Sequence, residues 1–548
     1  MLAGRPGATG TRSEGVPTRR AVRVTAWLRD RFWLPVGAIT LATGLLLLDR
    51  LFAWPPHEDE TLVFFVSRQS LPDVLDTVAD RGGAPLHFLL AHAALQVDES
   101  LTAVRALSAL FATASIPVIA ALAARLADRR VAVLAALLAA ASWMLVYHGV
   151  YGRMYGLFLF TSALSSLLLL RALERQDARR WAAWGAASFS MLATQPYGAL
   201  VLAAQAVWVA AVRIGRPFPL RRGILAFAAV VLLAIPLWRT YSHLASRFDV
   251  GVGEESGSEL GSPLEVLHFL WDVLEDFTAG WDAVAIPAGL VALLGLVVLA
   301  RRRWEAGLFA AAVVIVPAVA LLLPRAASDL SLETRHLIFV LPFFATTLAA
   351  GLLELHRRLP RAGLLLLAAA VIGLVAAQVA WGWSKSPWLY AGEPDERETG
   401  RAEAAAYLAS TGLADDVLFG YEPTYLDAWR EGAPFGRVFV PRADAGLALQ
   451  ALREAEPLGR AVWVLDATDE LDQSRRRLTI PENSPGAGFE ARAFGPFLII
   501  RTRAPVETTE AFLRETIRVE RMGQEMEIGD AWRNLSTAET ALEALDRS

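Results

Sequence analysis

Ala84–Val97, APLHFLLAHAALQV, is the stretch whose reading decides the fold. It is apolar, yet it carries His87 and His92 and falls short of the about 20 residues that a transmembrane helix needs. If it crosses a bilayer, every later Arg-rich loop falls opposite the basic N-terminal tail. If it does not, those loops and the tail share one side.

The surrounding sequence settles which. The chain has 548 residues, of which 55% are hydrophobic, and a mean hydropathy of +0.39. Soluble domains average about 45–50% apolar, and here the excess is gathered in blocks. The blocks predict an α-helical polytopic membrane protein of about eleven spans: Phe32–Phe52, Leu101–Leu126, Val131–Tyr147, Tyr155–Leu173, Trp181–Ala193, Gly198–Val212, Gly223–Tyr241, Val284–Ala300, Glu305–Leu323, His336–Leu355 and Ala362–Trp383. The basic loops are Arg125–Arg130, Arg171–Arg180, Arg213–Arg222, Arg301–Arg303 and His356–Arg361. All five join the basic tail, residues 1–31, only if Ala84–Val97 stays on one side. The positive-inside rule therefore makes it a non-crossing helix of the first loop, with the N-terminus cytoplasmic. Arg19–Arg20 reads as part of that tail, since no small-residue cleavage site follows the first apolar run.

This topology divides the chain into the tail, a membrane domain over 32–383 with an extracytoplasmic first loop at 53–100, and an extracytoplasmic α/β domain over 384–548. The last is read from the β-type runs DVLFGY, GRVFV, AVWVLDA and FLIIRTR between charged helical stretches. A net charge of −4 gives no case for nucleic acid, and the absence of cysteine excludes disulfides and thiolate chemistry.

The outer face then collects an unusual set of polar groups. WPPHEDETLVFF, Trp54–Phe65, places His57 and three carboxylates (Glu58, Asp59, Glu60) directly after the first span. Arg81 and His87 follow in the first loop. YHGVYGRMYG brings Arg153 and Tyr155, TQPYG brings Tyr197, and ETRHLIF brings Arg335 and His336. Ionisable groups at such depths line cavities or pathways rather than face lipid. A carboxylate can take a proton from an attacking hydroxyl or amine. Arginines grip phosphate by forked hydrogen bonds, and aromatic rings offer flat faces to sugars. The combination suits transfer of a group from a lipid phosphate.

The order of these motifs resembles the C-type polytopic glycosyltransferases, and within them the bacterial relatives of protein O-mannosyltransferases and the lipid A aminoarabinose transferase. The motifs that carry the resemblance are EDET, GGAPLHFLLAH, AVRALSAL, YGRMYGL, TQPYGAL and TRHLIFVLP, in order over roughly residues 30–355. Two positions depart from the family pattern: Gln195 stands where a histidine is usual, and Ala84 where a second proline is. The resemblance implies a sugar donor on a polyprenyl phosphate, used on the outer side and transferred with inversion to a protein, lipid or glycan acceptor. It implies that Asp59 is the catalytic carboxylate with Glu60 beside it, and that Arg153, Arg335 and Arg81 hold the leaving phosphate. Glu58 has no matching place in the motif. His57, His87, Tyr155, Tyr197 and His336 complete the expected substrate-binding set.

Metal dependence stays open. His57 and Glu58–Asp59–Glu60 are available ligands for a divalent ion, with Glu254–Glu255 and Asp272, Glu275 and Asp276 as the other acidic groups. The competing reading is a transporter or flippase of lipid-linked sugars, which would more often show mid-span charges and inverted repeats.

Overall fold

The computed structural model describes residues 31–81, 83–213, 220–248, 263–322, 333–359, 363–434, 438–442, 444–467, 477–480, 488–528 and 531–547. Among them, six helices are long and apolar enough to cross a bilayer: Trp33–Arg50, Leu101–Leu126, Tyr155–Arg175, Asp282–Arg302, Thr334–Arg358 and Gly363–Lys385. Two bent pairs raise this to eight if each is one span. They are Arg129–Ala140 with Trp143–Val150, bent by 56°, and Arg221–Leu233 with Ile235–Ser242, bent by 48°. At the first bend the freed Trp143 N–H donates to the Gln378 side chain at 2.6 Å, which satisfies one backbone group that the break would otherwise leave unpaired. At the second, Pro236 has no N–H to continue the ladder. The other three expected spans coincide with shorter helices, Gly198–Val212 and Trp304–Ala320 and the 17-residue Ala178–Thr194. The six to eight spans are fewer than the expected eleven.

Ala84–Val97 forms the helix Pro85–Leu95, 11 residues long. At about 1.5 Å per residue it is roughly half the thickness of a hydrocarbon core. It lies among first-loop helices: His92 Nδ1 stands 2.8 Å from the Ser67 carbonyl.

The bundle has two chemically distinct ends. At one, the basic loops touch each other. Arg303 donates to the Arg125 carbonyl at 2.8 Å, Arg125 pairs with Glu174 at 3.5 Å, and Arg302 pairs with Glu354 at 2.8 Å. Arg129 lies over Phe32, 5.8 Å from its ring centre, so the first span begins at this end. At the other end lie the first loop, residues 151–154 and the start of the Thr334–Arg358 span. Charged side chains in the spans sit close to the span ends; Arg105, one turn into Leu101–Leu126, is the deepest at the first-loop end.

The C-terminal part is a five-stranded mixed sheet of β1 Val417–Phe419, β2 Val438–Val440, β3 Ala461–Asp466, β4 Phe489–Phe494 and β5 Phe497–Thr502. Its order is β2-β1-β3-β5-β4. β1 is parallel to β2 and β3, while β5 is antiparallel to β3 and β4. Side chains alternate across β3 and bury both faces. Trp463 and Leu465 face the helices Ala445–Ala455 and Thr509–Glu525. Val462 and Val464 join a core with Phe64 and Phe65 of the first loop. The sheet is thus packed directly on the first-loop end of the bundle.

Candidate active site

The short helix Glu58–Ser67 follows the first span. Its N-terminus is fixed by a capping box. The Asp59 N–H donates to His57 Nδ1 at 3.1 Å, and the His57 N–H donates to Glu60 Oε2 at 3.1 Å. Three acids in the first turn suit the positive end of the helix dipole. Successive residues are about 100° apart on a helix, so the three carboxylates point three ways.

Glu60 points inward and is 0% exposed. Arg105 grips it bidentately at 2.8 and 2.6 Å, and the Gly152 N–H donates to it at 2.6 Å. A Cβ on Gly152 would lie 3.0 Å from Glu60 Oε1, so glycine gives the backbone room to approach. Arg105 also donates to the Leu51, Trp54 and Pro55 carbonyls, closing the end of the first span. Glu60 thus ties the Glu58–Ser67 helix to the Leu101–Leu126 helix and to Gly152.

Glu58 points toward the C-terminal sheet. Arg442 Nε lies 3.0 and 2.9 Å from its two oxygens.

Asp59 points toward Tyr151 and Arg153, its side chain 31% exposed. The Tyr151 hydroxyl donates to Oδ2 at 2.9 Å and stands 3.1 Å from His57 Nδ1. Arg153 approaches Oδ1 at 3.8 Å and the Asp59 carbonyl at 3.4 Å. Burial pushes the Asp59 carboxyl up, but Arg153 above all, then His57, Arg335 and the Tyr151 hydroxyl, hold it well below the usual carboxylate range. Burial and then the Asp59 charge push the Tyr151 phenol up, so it stays a hydrogen donor.

Most of the residues picked from the sequence converge here. Arg335 lies over the Tyr155 ring, 5.4 Å from its centre. His336 stacks on Tyr197 at 4.7 Å and faces Tyr155 at 6.1 Å. His87 holds the Gly152 carbonyl at 3.3 Å. Burial and then the Arg153 charge push its imidazole down to about 4, so it is neutral at pH 7. Arg81 is elsewhere. It donates to the Tyr421 hydroxyl at 2.6 Å, in a cleft of about 620 Å³ between the first loop and the C-terminal sheet. The structure places it with Tyr421 and not in contact with Arg153 or Arg335 among the described residues. Sequence reading missed Tyr151 as a site residue, although it sits inside the quoted YHGVYGRMYG; Arg105 was quoted without a role.

The Nε atoms of Arg153 and Arg335 are buried with no hydrogen-bond partner among the described residues. Arg153 also faces Asp59 and Arg335 pairs with Glu333, so among the described residues each guanidinium keeps one further N–H free to donate. No trio of His, Cys, Asp or Glu side chains stands close enough to hold a metal ion among the described residues. Glu254–Glu255 lie outside them, and Asp276 accepts from Thr334.

The fold is that of the C-type polytopic glycosyltransferases of the protein-mannosyltransferase and aminoarabinose-transferase type, as the resemblance implied. The family described as dolichyl-phosphate-mannose-protein mannosyltransferase matches residues 82–238, which include Arg153, Tyr155 and Tyr197. ArnT from Cupriavidus metallidurans in the apo state is 15% identical, over 87% of this chain and 98% of that one, with a TM-score of 0.53. ArnT bound to undecaprenyl phosphate is 14% identical over the same shares, with a TM-score of 0.54. The Archaeoglobus fulgidus oligosaccharyltransferase in complex with Zn and sulfate is 14% identical over 78% of this chain and 67% of that one, with a TM-score of 0.51. No curated protein matches the chain by sequence.

Proposed function

We propose that this chain is a membrane glycosyltransferase that moves a sugar from a polyprenyl-phosphate donor to an acceptor on the outer side of the membrane, with inversion at the anomeric carbon. The observation that carries it is the cluster around Asp59: one carboxylate beside Arg153 and Arg335, whose buried Nε atoms have no acceptor among the described residues. A phosphate supplies such acceptors, and the structurally similar ArnT is found with undecaprenyl phosphate bound.

In this reading the acceptor's oxygen or nitrogen attacks the anomeric carbon. The bond from that carbon to the phosphate oxygen breaks, and polyprenyl phosphate leaves as an anion stabilised by Arg153 and Arg335. The acceptor's proton passes to Asp59. A carboxylate held below its usual range is a weak base. Its first task is to orient the nucleophile by a hydrogen bond, and it takes the proton late, once bond formation has made the acceptor acidic. Tyr151 and the His57 cap fix the direction of the carboxylate. The partly exposed rings of Tyr197 and His336 offer flat faces to the sugar, while the buried Tyr155 ring backs Arg335. The transporter reading has no comparable support, because the spans carry their charges near their ends.

The test is reconstitution of the full chain in liposomes with polyprenyl-phosphate mannose, arabinose and aminoarabinose in turn, scoring free polyprenyl phosphate by mass spectrometry. Release with at least one donor, lost in Asp59→Asn, is the expected result. Movement of intact donor between leaflets with no release would establish the transporter instead.

A further inference from the structure

The C-terminal sheet does more than cover the first loop. Tyr421 and Arg442 stand at the ends of β1 and β2 that face the first-loop helix Glu58–Ser67, and both bind it. The Tyr421 N–H donates to Glu58 Oε1 at 2.9 Å, and the Tyr421 carbonyl accepts from the Thr61 hydroxyl. Arg442 Nε reaches both Glu58 oxygens at 3.0 and 2.9 Å, and its NH2 group pairs with Glu422. Arg442 and Glu422 are buried, with side chains 7% exposed. Gly420 makes this possible. It has φ +81°, and a Cβ there would lie 2.8 Å from Arg442 Nε and 3.0 Å from Glu58 Oε1.

We infer that this latch from the C-terminal sheet positions Asp59: Arg442 and Tyr421 clamp Glu58, and through the peptide that joins Glu58 to Asp59 they set the direction of the Asp59 carboxylate. Arg442 is a positioning residue, since it binds Glu58 and not the reacting atoms. The latch explains why an acid stands at position 58 without any matching place in the family motif. Glu60 and Arg105 fix the Glu58–Ser67 helix from the membrane side, and Glu58 and Arg442 fix it from the outer side. Asp59 lies between two anchors that do not share a partner. The inference rests on the reading of Asp59 as the reacting carboxylate.

The test uses the full chain in liposomes with polyprenyl-phosphate mannose as the donor probe, or whichever donor of the panel is turned over. Glu58→Gln and Arg442→Gln should each lower kcat about tenfold or more, as displacement of a reacting group does, with donor KM within about twofold. Because the two residues act as one unit, the double variant should lose no more than the worse single variant. Arg460→Gln is the control. It breaks a pair with Asp416 in the same sheet, at 2.9 Å, and should leave kcat unchanged. Should Arg442→Gln fail to fold, Glu58→Gln alone carries the comparison.

Wild-type kcat in the latch variants would overturn the inference, as would losses that multiply in the double variant. A loss confined to donor KM, or an equal loss in Arg460→Gln, would do the same. Asp59→Asn run alongside separates the two failures. If it keeps the wild-type rate, the reading of Asp59 is wrong. If it is inactive while the latch variants turn over normally, only the latch is wrong.

Discussion

Three adjacent carboxylates meet three different sets of partners because a helix turns them apart. Glu60 is buried against Arg105, and removing one member of a buried pair leaves an uncompensated charge. Glu60→Gln should therefore cost about 3–5 kcal/mol of stability, read from denaturant or thermal melts in detergent. Asp59 is about a third exposed and makes fewer bonds. Asp59→Asn should shift the melt little while lowering turnover by about 10²–10⁴-fold. Equal melts for both variants would remove the anchoring role of Glu60. The titration of Asp59 follows from its neighbours. Its depressed value means that its contribution to stability is complete above the ordinary aspartate range and is lost only as pH falls through the lower folded value. An infrared difference titration of donor-free wild type against Asp59→Asn should keep the Asp59 carboxylate bands below about pH 4, the ordinary aspartate value. Protonation at or above that value would show that Arg153 does not control this carboxyl.

Arg153 and Arg335 are far apart in sequence but are brought to one pocket, by the loop before Tyr155 and by the start of the Thr334–Arg358 span. Each lysine substitution keeps the charge and loses the planar fork. If the forks hold the donor phosphate, Arg153→Lys and Arg335→Lys should each raise donor KM roughly ten- to a hundredfold, the worth of a charge-assisted hydrogen bond. If the arginines only anchor helix ends, lysine replaces them without loss, and unchanged donor saturation would take them out of the site. These elements were legible in the sequence because hydropathy marks span ends and ionisable residues there need a reason. Arg81 misled for the same reason: its type and loop fit, but its partner, Tyr421, lies 340 residues on and leaves no local trace. The pairing of Glu58 leaves no local trace either, because its partner Arg442 lies just beyond β2. Edge strand β4, FEARAF, escaped notice because Glu490 and Arg492 interrupt its apolar pattern, and edge strands commonly carry such charges. The bent pairs were read as single straight runs, since composition does not register a 56° turn.

At the scale of the whole molecule, charge is separated along the bundle. Arg125, Arg303 and the start of the first span share one end, while Asp59, Arg153 and the C-terminal sheet share the other. Cell membranes tend to retain arginine-rich loops on the cytoplasmic side, and on that ground we propose that the Asp59 site and the sheet lie outside. The chain contains no cysteine, so single introduced thiols report without background. Ser410 is exposed on the helix Asp395–Thr411, and Arg179 is exposed at the start of Ala178–Thr194, in a basic loop. With an impermeant maleimide, Ser410→Cys should label in intact cells and Arg179→Cys only after lysis. The opposite pattern would invert the molecule and place the Asp59 pocket in the cytoplasm. Labelling of both in intact cells would break the two-ended bundle itself. Neither substitution touches the pocket, so each variant should also keep its donor turnover, and that second measurement shows that the labelled protein is the folded one.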